Sequence, residues 1–294
     1  MKQLQQCEYF DVNEVSQRIN IQRPYFAFER LWQDGNSLVG DFSAEQPRSY
    51  EAGPVASGEL GRHLAILGSC TAVAIHDGPE AYYLATKAQF TRKYVNPASN
   101  HEIYSASAQV MNIDKRTLNI SAQAWGSEAI AELKCEYVIL SPSLFKRSFK
   151  HYASEYCPSP IESPYQHAIA LHGLDYHDCG LNAYAGPLSP DQCAGHFSFY
   201  PCWPVAIIAQ TGSQVTGEFL RENFGKDVRF HVRSTKLSAE KLVGAGTILK
   251  FSIEITEDNF PVLGTVTRVY RDDEEVAQLV NVLEIVLPTS SHDS

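Results

Sequence analysis

The sequence predicts an α+β protein in which one unit is written twice, each copy an antiparallel sheet wrapped around a single central helix. Three observations carry this expectation. Two blocks of four β-branched and aromatic runs close the two halves of the 294-residue chain. One mostly apolar, helix-like segment stands ahead of each block. The blocks end on EYVIL and LEIVL, at 136–140 and 283–287, a repeat of 147 residues.

In the first copy the strand-like runs are 82–90, 102–113, 117–125 and 130–140, with turn residues at Asp114-Lys115 and Gly126-Ser127. In the second they are 227–237, 247–256, 261–270 and 275–287, with turns at Glu257-Asp258-Asn259 and Asp272-Asp273. The helical segments are GELGRHLAILGSCTAVAI (58–75) and VAIIAQTGSQVTGEFL (205–220). A helix too apolar to face water, followed by a long antiparallel meander, is the hotdog arrangement, so two copies predict a double hotdog. The Ser-, Pro- and base-containing stretch 141–164 has no clear period and holds the connection. The expected units are residues 1–145 and 165–294, with a linker over 146–164.

Composition narrows the function. The chain is 44% hydrophobic and long enough to bury a large core. Its 24 Lys and Arg against 34 Asp and Glu leave a net charge of -10, which speaks against broad contact with nucleic acid or an anionic membrane. No run approaches the ~18 apolar residues of a membrane span, and the N-terminal MKQLQQCEYFDVNE is polar where a signal peptide is apolar, so a cytoplasmic protein is expected. Seven scattered cysteines (Cys7, Cys70, Cys135, Cys157, Cys179, Cys193, Cys202) form no C-x-x-C pair and read as reduced packing residues. His172, His177, Asp178 and Cys179 crowd together without the spacing of a ligand set, so no metal is expected. Neither glycine-rich phosphate motif is present, which removes the sequence case for a nucleotide.

One constellation suggests chemistry. Gly195-His196-Phe197-Ser198-Phe199-Tyr200-Pro201-Cys202-Trp203-Pro204 leads into the second apolar helix, which carries Gln210, Gln214, Thr216 and Gly217. These residues resemble the bacterial 3-hydroxyacyl-carrier-protein dehydratases, whose signature is H-F-P-G-x-P-x-x-P-G followed by a helix with E/D-x-x-x-Q-x-x-G. The match covers His196, Phe197, Pro201, Pro204, Gln214 and Gly217, and Arg23-Pro24-Tyr25-Phe26 with FERLWQDGNSLVGDF resembles the family's opening segment. The resemblance implies that a histidine from one hotdog works with a carboxylate from the helix of the other. Gln210 stands where the family has that carboxylate, and Asp41, in Gly40-Asp41-Phe42-Ser43, is read as the first copy's counterpart of His196. Glu59-Leu60-Gly61-Arg62-His63 resembles the D-x-x-x-Q/H motif of polyketide-synthase dehydratase domains, which leaves one complete pair, His196 with Glu59.

The expected reaction is dehydration of a 3-hydroxyacyl thioester to a trans-2-enoyl thioester, in fatty-acid-like or polyketide-like biosynthesis. His196 is the base and Glu59 the acid. The backbone N–H of Val205 would serve the thioester oxygen, and His63, Gln214 and Tyr200 complete the substrate contacts. No metal or redox cofactor is expected, and the acyl group is carried on the phosphopantetheine of an acyl carrier protein or on CoA. Lys146, Arg147, Lys150, Arg92 and Lys93 are the basic clusters that could receive its phosphate or an acidic carrier. A homodimer of double hotdogs is the assembly considered. Two alternatives stand beside this: a hotdog acyl thioesterase in which Glu59 activates water, and a non-catalytic acyl-binding or assembly module, suggested by Phe199 and Val205 where the family has Gly.

Overall fold

The computed structural model describes residues 8–93 and 101–287. Cys7 and the outer ends of the two expected units lie outside the described residues. The first half contains strands β1 (Tyr9–Phe10), β2 (Arg30–Asp34), β3 (Ser37–Phe42), β4 (Tyr82–Arg92), β5 (Tyr104–Ile113), β6 (Thr117–Trp125) and β7 (Ala129–Leu140), with helices α1 (Val12–Arg18) and α2 (Ser57–Ala74). After the short helix α3 (Pro142–Ser148) come β8 (Leu171–His177), β9 (Gly180–Ala185), helix α4 (Val205–Phe224), β10 (Arg229–Ser238), β11 (Leu249–Asn259), β12 (Val262–Arg271) and β13 (Glu274–Val286).

The strands form one sheet in the order β1-β2-β3-β5-β6-β7-β4-β10-β13-β12-β11-β9-β8. Neighbours are antiparallel throughout. The order β3-β5-β6-β7-β4 on one side is matched by β9-β11-β12-β13-β10 on the other, and β4 and β10 begin at Tyr82 and Arg229, 147 residues apart. The halves are joined through β4 and β10, where Lys87–Thr91 pairs with Ser234–Ser238.

Each long helix lies in the curve of its own half because its sequence leaves it nothing else to do. Helix α2 is apolar apart from Glu59, Arg62, His63 and a few hydroxyls, and nearly all of it is buried. The sheet wraps closely where the helix is thin: a Cβ on Gly68 would stand 2.6 Å from Ile120 Cγ1 and 2.8 Å from the Tyr137 hydroxyl. That hydroxyl donates to the Ala65 carbonyl at 2.7 Å, tying helix to sheet. Helix α4 ends at Gly225, whose φ of 96° is a left-handed value that glycine takes without a Cβ penalty.

The stretch 141–164 departs from expectation. It contains α3, which starts where Ser141 Oγ accepts from Leu144 N at 3.3 Å and Pro142 takes the first turn. Seven residues are too few for the 3.6-residue period to show, yet the helix docks firmly. Phe145 is fully buried, face to face with Tyr82 at 3.7 Å and edge-on to Phe197 and Tyr200.

Candidate active site

Helices α2 and α4 meet where Gly58 touches Gln210: a Cβ on Gly58 would lie 2.7 Å from Gln210 Oε1 and 3.1 Å from its backbone N. Between the two helices and strands β4, β10 and β13 lies a cavity of about 160 Å³, against the ~10–15 Å³ that one water needs. Much of its wall is apolar, with Ala65, Ile66, Ala209, Leu84, Leu237 and Leu279 among the lining residues. Ala56 and Pro204 at the N-caps of the two helices supply no side-chain cap. First-turn N–H groups other than that of Ser57, which donates to Glu51, therefore remain for a ligand oxygen.

A polar cluster interrupts the apolar wall, and the strap at residues 50–52 builds it. Phe230 N donates to the Tyr50 carbonyl at 3.1 Å and Ala52 N to the Phe230 carbonyl at 2.7 Å, fixing the strap beside β10. Tyr50 lies flat across Gly217, where any Cβ would fall 1.9 Å from Tyr50 Cδ2. Glu51 is thereby turned inward and is 1% exposed. Its carboxylate accepts from Ser57 N at 2.8 Å, from Ser57 Oγ at 2.7 Å and from Ser213 Oγ at 2.8 Å. Arg92 Nη2 stands 3.5 Å away and also donates to the Val55 carbonyl at 2.9 Å. Burial lowers the Arg92 pKa and Glu51 opposes that shift. Ser57 and Ser213 both line the cavity, as do Thr235 and Asn281, whose side chains are joined by a 2.8 Å hydrogen bond from Thr235 Oγ1 to Asn281 Oδ1. Sequence reasoning missed this cluster, because Glu51 sits in a loop and its two serines come from segments 156 residues apart.

The residues singled out from the sequence scatter. His196 and Val205 line the cavity; Glu59, His63, Gln214 and Tyr200 are not on its wall. Glu59 is fully buried and spent on backbone, its two oxygens accepting from Glu45 N at 2.7 Å and Gln46 N at 3.1 Å. His63 stacks on Phe42 at 4.2 Å, with Nε2 3.5 Å from Glu59, and burial lowers its pKa. Gln214 faces a separate small pocket with Gln46 and Gln210, and Tyr200 packs on Phe145. Asp41 does not correspond to His196: it lies within β3, paired with Arg30 and Ser105, whereas His196 lies in the loop before α4. His196 touches Cys202 Sγ through Nδ1 at 3.4 Å, and burial lowers its pKa to about 3, leaving a neutral and weakly basic imidazole near pH 7.

No protein-family model matches the sequence, and no curated protein is similar to it. Solved structures are. An acyl-CoA thioesterase II of Mycobacterium marinum superposes with a TM-score of 0.53 at 10% identity, covering 95% of this chain and 99% of that one. A hotdog-fold protein of unknown function from Alicyclobacillus acidocaldarius gives a TM-score of 0.57 at 10% identity, covering 92% and 100%. A 12:0-ACP thioesterase from Umbellularia californica gives 0.53 at 8% identity, covering 86% and 95%. The fold is therefore a hotdog fold. The expectation of a dehydratase is corrected: the structures this chain resembles include several thioesterases, among them enzymes of acyl-CoA and acyl-ACP. The placement of Glu59 gives the physical reason the motif misled, since an acid tied to two backbone amides away from the cavity wall is in no position to protonate a leaving hydroxyl there. Among the described residues no helix is long and apolar enough to cross a membrane.

Proposed function

We propose that the chain is a double hotdog, with units 1–145 and 165–294 joined through 146–164, that hydrolyses acyl thioesters delivered on CoA or an acyl carrier protein. The observation that carries this reading is the junction of an apolar cavity with a buried carboxylate holding two cavity-lining serines. The apolar wall takes the acyl chain. The thioester carbonyl lies at the N-terminus of α2, where the Gly58 N–H and the helix dipole stabilise the charge that develops on its oxygen.

Glu51 then acts as base through Ser213. The Ser213 hydroxyl already gives its hydrogen to Glu51, so its lone pairs can accept a hydrogen from a water in the cavity. As the water oxygen bonds to the carbonyl carbon, its proton passes to Ser213 Oγ and the serine proton passes to Glu51. Collapse of the tetrahedral oxyanion breaks the C–S bond, and the proton returns to the departing thiolate, leaving a carboxylic acid and a thiol. A thiolate is a good leaving group, so no strong acid is required.

The test is release of thiol and free acid from a panel of acyl-CoA and acyl-ACP substrates, followed by a chromogenic disulfide and by mass spectrometry. Ser213→Ala should lower kcat by about 10²-fold or more. Failure of the native chain to release thiol from any member of the panel would overturn the reading.

A further inference from the structure

The same cavity has a second polar wall, near the start of α4, that the hydrolytic cluster does not use. Arg62, Tyr25 and His196 all line it. Arg62 is 1% exposed, its Nη2 pairs with Glu45, and its Nε and Nη1 have no acceptor among the described residues. Its guanidinium is held over the rings of Tyr25 and Tyr165, at 5.3 and 5.0 Å from their centroids. Tyr25 also meets the His196 ring edge-on at 4.9 Å, and Gly195 O accepts from Gln22 N at 2.8 Å, so the loop bearing His196 is pinned to the segment bearing Tyr25. Burial pushes the Tyr25 phenol upward and the His196 imidazole downward, so both are neutral and Tyr25 remains a donor.

An alkyl chain laid against this wall leaves Nε and Nη1 of the buried guanidinium unsatisfied, which is costly in a dry site. A chain oxygen can accept from one of them. Glu45 already supplies the counter-charge, so the acceptor that fits is a neutral oxygen and not a second carboxylate. We propose that the Arg62–Tyr25–His196 wall recognises a hydroxyl or ketone oxygen within the acyl chain, making the preferred substrate an oxygenated medium-chain acyl thioester. This rests on the thioesterase reading for which end of the ligand reacts. Gly58, whose N–H takes the carbonyl oxygen in that reading, and Arg62 are four residues apart on one helix, roughly 6 Å along its axis, so the oxygen falls about five carbons from the carbonyl.

Binding and turnover are measured separately. Non-hydrolysable thioether analogues of CoA carrying an octyl, 6-oxo-octyl or 6-hydroxyoctyl chain are titrated calorimetrically into the full chain, and the matching thioesters are assayed for thiol release. The oxygenated analogues should bind about tenfold more tightly than octyl, the worth of one hydrogen bond to a charged donor. Arg62→Met should bring that ratio to near one, and Tyr25→Phe, which removes only a hydroxyl, should reduce it if Arg62→Met does not fold. Equal or weaker binding of both oxygenated analogues by the native chain overturns the inference. Selective binding without cleavage of any thioester overturns the hydrolase reading and leaves the recognition site standing.

Discussion

Glu51→Gln is the most informative single change, because the side chain has two duties that the structure lets one separate. Its carboxylate is the counter-charge of Arg92, whose guanidinium is buried and has Nε and Nη1 without acceptors among the described residues. Removing one partner of a buried pair typically costs roughly 3–5 kcal/mol, because the other is left uncompensated. The same change removes the proposed base and should lower kcat by about 10²–10⁴-fold. Adding Arg92→Met removes the stranded charge while keeping the volume, so Glu51→Gln/Arg92→Met should recover most of the lost stability and none of the activity. Urea unfolding midpoints and thiol release on the native chain, both singles and the double form the cycle. If the double variant hydrolyses thioesters nearly as well as the native chain, Glu51 serves only charge balance and the mechanism is wrong.

Three further outcomes follow from packing and charge. Gly217→Ala places a methyl where Tyr50 already lies, so the strap must lift; a loss of about 1–3 kcal/mol is expected together with reduced turnover, read by thermal unfolding and thiol release. Phe145→Ala empties the pocket that anchors α3 against Tyr82 and should cost about 3–5 kcal/mol in a urea titration. His196 is held near a pKa of about 3, below its unfolded value of ~6.5, so between those limits the unfolded chain binds a proton that the folded chain refuses. Its stabilising contribution is complete above pH 6.5 and is lost as pH falls towards 3, by up to about 1.4 kcal/mol per pH unit. His63 is shifted in the same direction. His196→Gln should therefore flatten the acid limb of stability against pH, and an unchanged limb would show that the imidazole is not buried in solution.

The fold was largely legible because its signals are local and repeated. Apolar runs over 58–75 and 205–220 became α2 and α4, and the eight runs of the two meanders became β4 to β7 and β10 to β13, within a few residues at each end. The helix α3 was not legible, since seven residues show no period and its stability comes from Phe145 docking at a distance. The site was legible only in part. His196 and Val205 were placed on the cavity, but the acid chosen from a motif, Glu59, is a turn-holding residue, while Glu51 acquires its role from Phe230 and Tyr50 through contacts that no linear spacing encodes. Reading Asp41 as the counterpart of His196 failed for a similar reason, because a short sequence echo was matched across a strand and a loop.

The covalent tie between the halves has one more consequence. In a symmetric pair of identical chains every substitution appears at both equivalent positions, so neither end of a shared cavity can change alone. Here Ser213 of α4 occupies the place that Ala65 occupies in α2, each the ninth residue of its helix. With both halves in one polypeptide no such matching is imposed, so the proposed reactive hydroxyls at one end and the proposed recognition wall at the other need no symmetric counterparts.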